Sequence, residues 1–175
     1  MMRSLRAFYR DVRGAAAAEM ALIVPVLIAL MFASMELGNY FLVQHAVTKH
    51  VRDGARYASR MTLAEDYACP GKVFADSGFG TTVQNVTRTG SVDGSATGRF
   101  PATFWAGCGA AQPVTVSLRC VPKAGYAGIY SGLDGDIPVV KVSAAVNYAS
   151  LFGTFGFNTT NFCMRAESET AVAGL

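Results

Sequence analysis

Histidine is almost missing from this chain: His45 and His50 are the only two in 175 residues, and none of the four cysteines belongs to a CxxC pair. The histidines are five residues apart, which on a helix turns them to different sides, so a Cys/His zinc set does not assemble. Also lacking are a nucleophile elbow, a phosphate-cradling glycine loop leading into a helix, and a paired acidic cluster. Hydrolase, nucleotide-binding and metalloenzyme classes therefore lose their usual residues, and the reading is of a non-enzymatic chain with no catalytic residue, no metal and no cofactor. Charge is sparse too. The net value is +3, and the first fourteen residues concentrate Arg3, Arg6, Arg10 and Arg13 against Asp11 alone. A short basic flank of this kind reads as a positive-inside orientation signal, not as a nucleic-acid surface. There is no internal repeat.

What the chain does have is a membrane-length apolar run. Met20 to Met35 falls just short of the roughly 20 residues a spanning helix requires, and Ala15 to Ala18 bring it close to that length. A cleaved secretory signal would place its small-residue site after the apolar core; here the alanines precede it, and Met35 follows Ala33-Ser34 where a small residue would be needed. At the leading edge of the run stands Glu19. An ionisable group in the membrane costs about 2.5 to 3.5 kcal/mol at the bilayer centre, less near an edge, and is by default a functional residue seeking a partner. Glu19 is the fifth residue counted from Ala15, which follows Gly14 at the end of the basic leader.

Basic leader, glycine, small residue at +1, glutamate at +5 and an apolar helix make up the prepilin pattern. Together with Pro25 inside the run, Glu36-Leu37-Gly38 at its far end and Gly54-Ala55-Arg56 beyond, the stretch from Gly14 to about Ser59 resembles the TadE-like family of minor pilins or pseudopilins in the tight-adherence (Flp) branch of type IV pili. That resemblance implies a processing site at Gly14-Ala15 and a subunit-assembly role for Glu19. It places a helix packing or bending role on Pro25 and Gly38. It also implies a prepilin peptidase, other pilin and minor pilin subunits, an inner-membrane pilus platform and membrane lipid as partners, with no nucleic acid. The expected location is the bacterial inner membrane, single-pass, with the N-terminus cytoplasmic and the C-terminal domain periplasmic or extracellular. Assembly, priming or capping of an adhesive pilus is the implied function. The alternative is an uncleaved, membrane-anchored binding or adhesin module.

The helix is expected to continue past the membrane to about Ala64. Leu37, Tyr40, Phe41, Val47, Val51, Ala55 and Ala58 recur at three and four residues, opposite Lys49, Asp53, Arg56 and Arg60, with Lys49–Asp53 and Asp53–Arg56 at ion-pair spacing. Arg52 and Arg56 suit lipid phosphates, a neighbouring subunit or plain solvent equally. Beyond Glu65 the texture turns to glycine, threonine and serine, with short strands expected around Thr82–Thr87 and Phe100–Trp105. Three later segments alternate with a period of two: Val114 to Cys120, Val140 to Tyr148, and Phe162 to Glu169. The expected class is thus α+β: a long N-terminal helix packed on a small antiparallel sheet, the shape of a type IV pilin-like subunit. Its divisions are a leader (1–14), a transmembrane half-helix (15–36), an amphipathic half-helix (37–64) and a disulfide-containing, β-rich domain (65–175).

Cys69, Cys108, Cys120 and Cys163 all follow the apolar run, and an even count in an exported domain reads as two disulfides with three open connectivities. Cys69–Cys108 with Cys120–Cys163 is the pairing chosen, although Cys120 shares the apolar face of its strand and Cys163 does not. Trp105, Phe100 and Phe104 read as core, with an adhesive aromatic patch as the alternative. Asp134-Gly135-Asp136 reads as an exposed turn in preference to a calcium loop. The acceptor-like triplets at Asn85 and Asn158 are taken as chance matches.

Overall fold

The computed structural model describes residues 14–61, 67–69, 73–74, 78–98, 100–101, 104–105, 108, 112–126, 128–133, 135–153, 156 and 162–173. The chain divides into two compact units, Met1–Asn39 and Tyr40–Leu175. Helix α1, Ala15–Ser59, contributes to both.

In the first unit α1 is apolar on every side. Leu22, Leu30, Val26 and Leu27 are all more than half exposed, as are Met20 and Met31. By length and composition α1 is long and apolar enough to cross a membrane, and is a candidate span. The helix runs through Pro25, whose missing N–H leaves the Ala21 carbonyl without its i+4 donor.

The second unit is an α+β domain. Strands β1 (Tyr67–Ala68) and β2 (Val73–Phe74) form a small antiparallel ribbon. Helix α2 (Phe79–Thr89) follows, and then β3 (Val114–Val121), β4 (Ile137–Asn147) and β5 (Cys163–Ala171) make an antiparallel sheet in the order β3-β4-β5. The three alternating segments are therefore the three strands of that sheet. Register places Val116 beside Val142, Leu118 beside Val140, Val114 beside Ala144, and Val146 beside Met164. These side chains share the face that buries the core, together with Val47, Val51, Ala55 and Ala58 of α1 and Phe79 and Val83 of α2. The opposite face is polar: the hydroxyls of Thr115 and Ser143 meet at 2.7 Å, Arg119 pairs with Glu169 at 3.1 Å, and Lys141 with Glu167 at 2.7 Å.

Several expectations are corrected. Thr82–Thr87 is not a strand but the middle of α2; Phe79, Val83 and Thr87 recur every four residues and are its buried positions. The helix closes at Gly90, whose φ of 79° is the left-handed conformation a C-terminal glycine supplies, and whose N–H donates to Val86 O at 2.9 Å. Phe104 and Trp105 lie in a 3-10 turn, not a strand. The core stripe of α1 excludes Leu37 and Phe41, which are exposed, and includes Val43, Ala46 and Gly54 instead. Small residues make up much of the buried face, with Ala46, Gly54, Ala55 and Ala58 in it. Neither Lys49–Asp53 nor Asp53–Arg56 closes into an ion pair among the described residues; Lys49 and Arg56 stay in solvent.

The four cysteines form two disulfides, Cys69–Cys120 and Cys108–Cys163, which replaces the chosen pairing. Cys120 is opposite Pro138 and Cys163 opposite Asn147. Those partners are nine positions apart on β4, about 30 Å at 3.3 Å per residue, whereas a disulfide requires Cα atoms within roughly 7 Å. Cys120 and Cys163 also occupy opposite faces.

Candidate functional site

Gly14 directly precedes α1, Ala15 is its first residue, and Glu19 follows one turn later. At 1.5 Å per residue Glu19 is about 6 Å along the axis from Ala15, and the four-residue spacing puts both on the same side of the helix. All three are exposed, and a Cβ at Gly14 would meet nothing within 4 Å. No carboxylate precedes Glu19 in the first turn, so the macrodipole's positive end and this one anion share the same short segment. Chemically, the segment can present an extended glycine to a protease and a carboxylate to a cation.

Pro25 lies six residues beyond Glu19, inside the apolar run. Gly38, at its far end, is exposed, and a Cβ there would meet nothing within 4 Å. Among the described residues nothing packs against Gly38. The glycine with a packing contact is Gly54, overlooked as a site. It is buried, and a Cβ there would collide with Thr87 Oγ1 and come within 3.2 Å of Thr87 Cβ. Thr87 is fully buried on α2 and donates its hydroxyl to Val83 O at 2.7 Å. One turn before Gly54, His50 Nδ1–H donates to Thr87 O at 3.0 Å; that carbonyl belongs to the last turn of α2, where no helical donor remains. The Gly54-Ala55-Arg56 step therefore has a physical reading: a glycine at the helix crossing, an alanine in the core at 1% exposure, and an arginine in solvent. Spacing alone marked His50 only as a failed metal ligand. Its position one turn before a glycine was the available signal.

Around His50 sit Phe100 and Trp105, each 5.7 Å away between ring centres, and Phe100 stacks on Phe104 at 4.1 Å. Trp105 is 4% exposed and the two phenylalanines pack against the core, so this group is core and not an adhesive patch. Asn85 sits within α2, its amide donating to Val92 O at 3.2 Å; Asn158 and Asp134 lie outside the described residues. Among the described residues, no three His, Cys, Asp or Glu side chains gather as a metal site.

Among the described residues, two groups titrate away from their ordinary values. The Glu167 carboxylate, hydrogen-bonded to Lys141 and attracting its charge, raises the Lys141 amine. Hydrogen bonds from Ser95, side chain and backbone, with a further one from Ser91, lower Asp93 to about 2. Both lie on exposed surface and stabilise local geometry; neither adjoins a cleft with catalytic partners.

Residues 14–56, roughly a quarter of the chain, match the family model of the TadE-like protein. The chain is similar to that family over this span, and the match begins at the glycine before α1 and ends two residues after Gly54. No curated protein and no solved structure matches the chain.

Proposed function

We propose that this chain is a non-enzymatic minor pilin or pseudopilin that takes part in assembling, priming or capping a Tad-type pilus. The observation that carries the reading is the register at the start of the TadE-like segment: Gly14 before the helix, Ala15 as its first residue, and Glu19 one turn on, in front of a membrane-length apolar surface. In this reading the basic leader stays in the cytoplasm, α1 spans the inner membrane once, and the disulfide-bonded domain lies outside, where oxidising conditions keep its cysteines paired.

A prepilin peptidase cuts between Gly14 and Ala15. Glycine, without a side chain, lets the extended backbone lie flat in a protease working at the membrane surface. The freed Ala15 amine of one subunit then meets the Glu19 carboxylate of the next, cancelling two charges that would each be costly in a low-dielectric setting. Other pilin and minor pilin subunits, the inner-membrane platform and lipid are the remaining partners. Pro25 loosens one turn of the helix inside the membrane, and Gly38, with open space around it among the described residues, is available to a neighbouring helix.

The test is the intact mass of the mature chain. In cells with an active prepilin peptidase it should begin at Ala15, and Gly14→Val should leave the leader attached. Recovery of only chains that start at Met1, or near Glu36, would overturn the processing step and favour the uncleaved anchored module.

A further inference from the structure

We infer that the second unit carries a second membrane-contacting element: an aromatic collar, built from the first residues of that unit and from Tyr148, Leu151 and Phe162 at the two ends of the β4–β5 connection, that seats at the lipid headgroup layer. Its source is the chemistry of four rings. Tyr40 lies 5.5 Å from Tyr148, 5.8 Å from Phe162 and 5.8 Å from Phe41 between ring centres, and Tyr148 lies 6.1 Å from Phe162, all with tilted or edge-on planes. The Tyr148 N–H donates to Phe162 O at 2.9 Å, clasping the two ends of the loop together.

Tyr148 is buried by this packing, yet the group is far from dry. Phe41 is 52% exposed, Phe162 53%, Leu42 68%, and Leu151, three residues beyond Tyr148, 52%. Water-facing loops do not gather large apolar side chains in this way unless they have an occupant.

The occupant is the bilayer, for two reasons. Tyr40 follows Met35 by five residues on the same helix, about 7.5 Å of rise, and the polar layer on each side of a roughly 30 Å hydrocarbon core is of about that depth. Rings with an apolar body and a hydroxyl tip, such as Tyr40 and Tyr148, concentrate at that level. The second reason is charge. Gln44, one turn after Tyr40, donates through its side-chain amide to Arg165 O at 3.0 Å, which places β5 beside the helix there. Arg165 is exposed and makes no ion pair among the described residues. An arginine just beyond an aromatic belt is placed to meet lipid phosphate while its stem covers apolar surface.

The inference rests on α1 as a membrane span and not on the assembly role. It is tested with the full chain in vesicles of phosphatidylethanolamine and phosphatidylglycerol, carrying a nitroxide on an introduced cysteine at Leu151, with both native disulfides verified by peptide mass. Accessibility to oxygen and to a soluble nickel chelate is then compared with labels at Ile28, in the apolar run, and at Ile129. Ile129 belongs to the connection entering β4 at its other end, some 33 Å along the strand. The expected result is an oxygen-to-nickel ratio at Leu151 several-fold above that at Ile129. A ratio equal to Ile129 while Ile28 reads lipid overturns the collar alone; water-like values at Ile28 overturn the anchor itself. Protection of Leu151 from both reagents, with label-to-label broadening that disappears on dilution with unlabelled protein, would show that a second copy covers the patch, and would equally overturn it. Should the Leu151 label disturb the native disulfides, Phe41 carries the same measurement from the helix.

Discussion

At the scale of single residues, two glycines of one helix have opposite work. Gly38 has open space around it, whereas Gly54 is the contact point with Thr87 of α2. Glycine within a helix costs about 0.5 to 1 kcal/mol relative to alanine, so Gly38→Ala should stabilise the isolated chain by up to that amount. Gly54→Ala gains the same helical preference but drives a methyl into a buried threonine, an overpacking that costs typically 1 to 3 kcal/mol, so it should destabilise. Adding Thr87→Ala removes the obstructing hydroxyl and should restore part of the loss. Denaturant midpoints in detergent measure all three; a Gly54→Ala variant as stable as the parent would deny the close crossing. Both glycines stood out in the sequence, but only one was read as a site. The difference between them was not legible there, because it depends on what a distant segment, α2, brings to the helix surface.

At the scale of elements, the three strands of the larger sheet were legible, whereas the second helix and the β1–β2 ribbon were not. Val114–Cys120, Val140–Tyr148 and Phe162–Glu169 alternate so regularly that one face had to be core, and the register confirms a common buried face. In α2 the sequence Thr81-Thr82-Val83-Gln84-Asn85-Val86-Thr87 is rich in residues that favour strands, and the four-residue spacing of Phe79, Val83 and Thr87 prevailed because that side packs into the core. The cross-strand ladder on the outer face follows from register alone: Ser117, Lys141 and Glu169 are neighbours, and Glu167 lies diagonal to Lys141. Because Glu167 raises the Lys141 amine, Lys141 should titrate above the ordinary lysine value of 10.5, and Glu167→Gln should lower it, as followed by NMR of the amine. The sign follows from linkage: a folded-state pKa above the unfolded one gives stabilisation that is complete below about 10.5 and is lost as pH rises through the folded value. From neutral pH upward the stability difference between parent and Glu167→Gln should therefore hold, and shrink only in strongly alkaline solution. A difference that already vanished between neutral and mildly alkaline pH, where Lys141 stays charged, would assign the effect to another group.

At the scale of the whole molecule, the disulfides close loops of 51 and 55 residues, each worth about 4 kcal/mol in the chain-entropy account. Peptide mapping without reductant should recover Cys69 joined to Cys120 and Cys108 joined to Cys163, with no thiol labelled; a Cys120–Cys163 peptide would contradict the sheet order itself. Face parity along the strands was readable and argued against that pair, but excluding it required knowing that β4 separates β3 from β5. Between molecules, the proposed assembly role turns on Glu19, an exposed carboxylate at the start of the apolar run. If it neutralises a neighbour's Ala15 amine, Glu19→Ala should insert at least as well as the parent, since an intramembrane charge is removed, and should still be cut after Gly14, yet fail to join the pilus. Glu19→Gln keeps size and hydrogen bonding without the charge and should fail in the same way. Glu19→Asp retains the charge on a shorter arm, so it should assemble at an intermediate level. Co-purification with pili, alongside piliation counts, reads the outcome for variants first shown to be inserted. Normal assembly by Glu19→Ala would instead mean that the carboxylate only reaches to the headgroups from an N-terminal position, and the amine of the next subunit would need another partner.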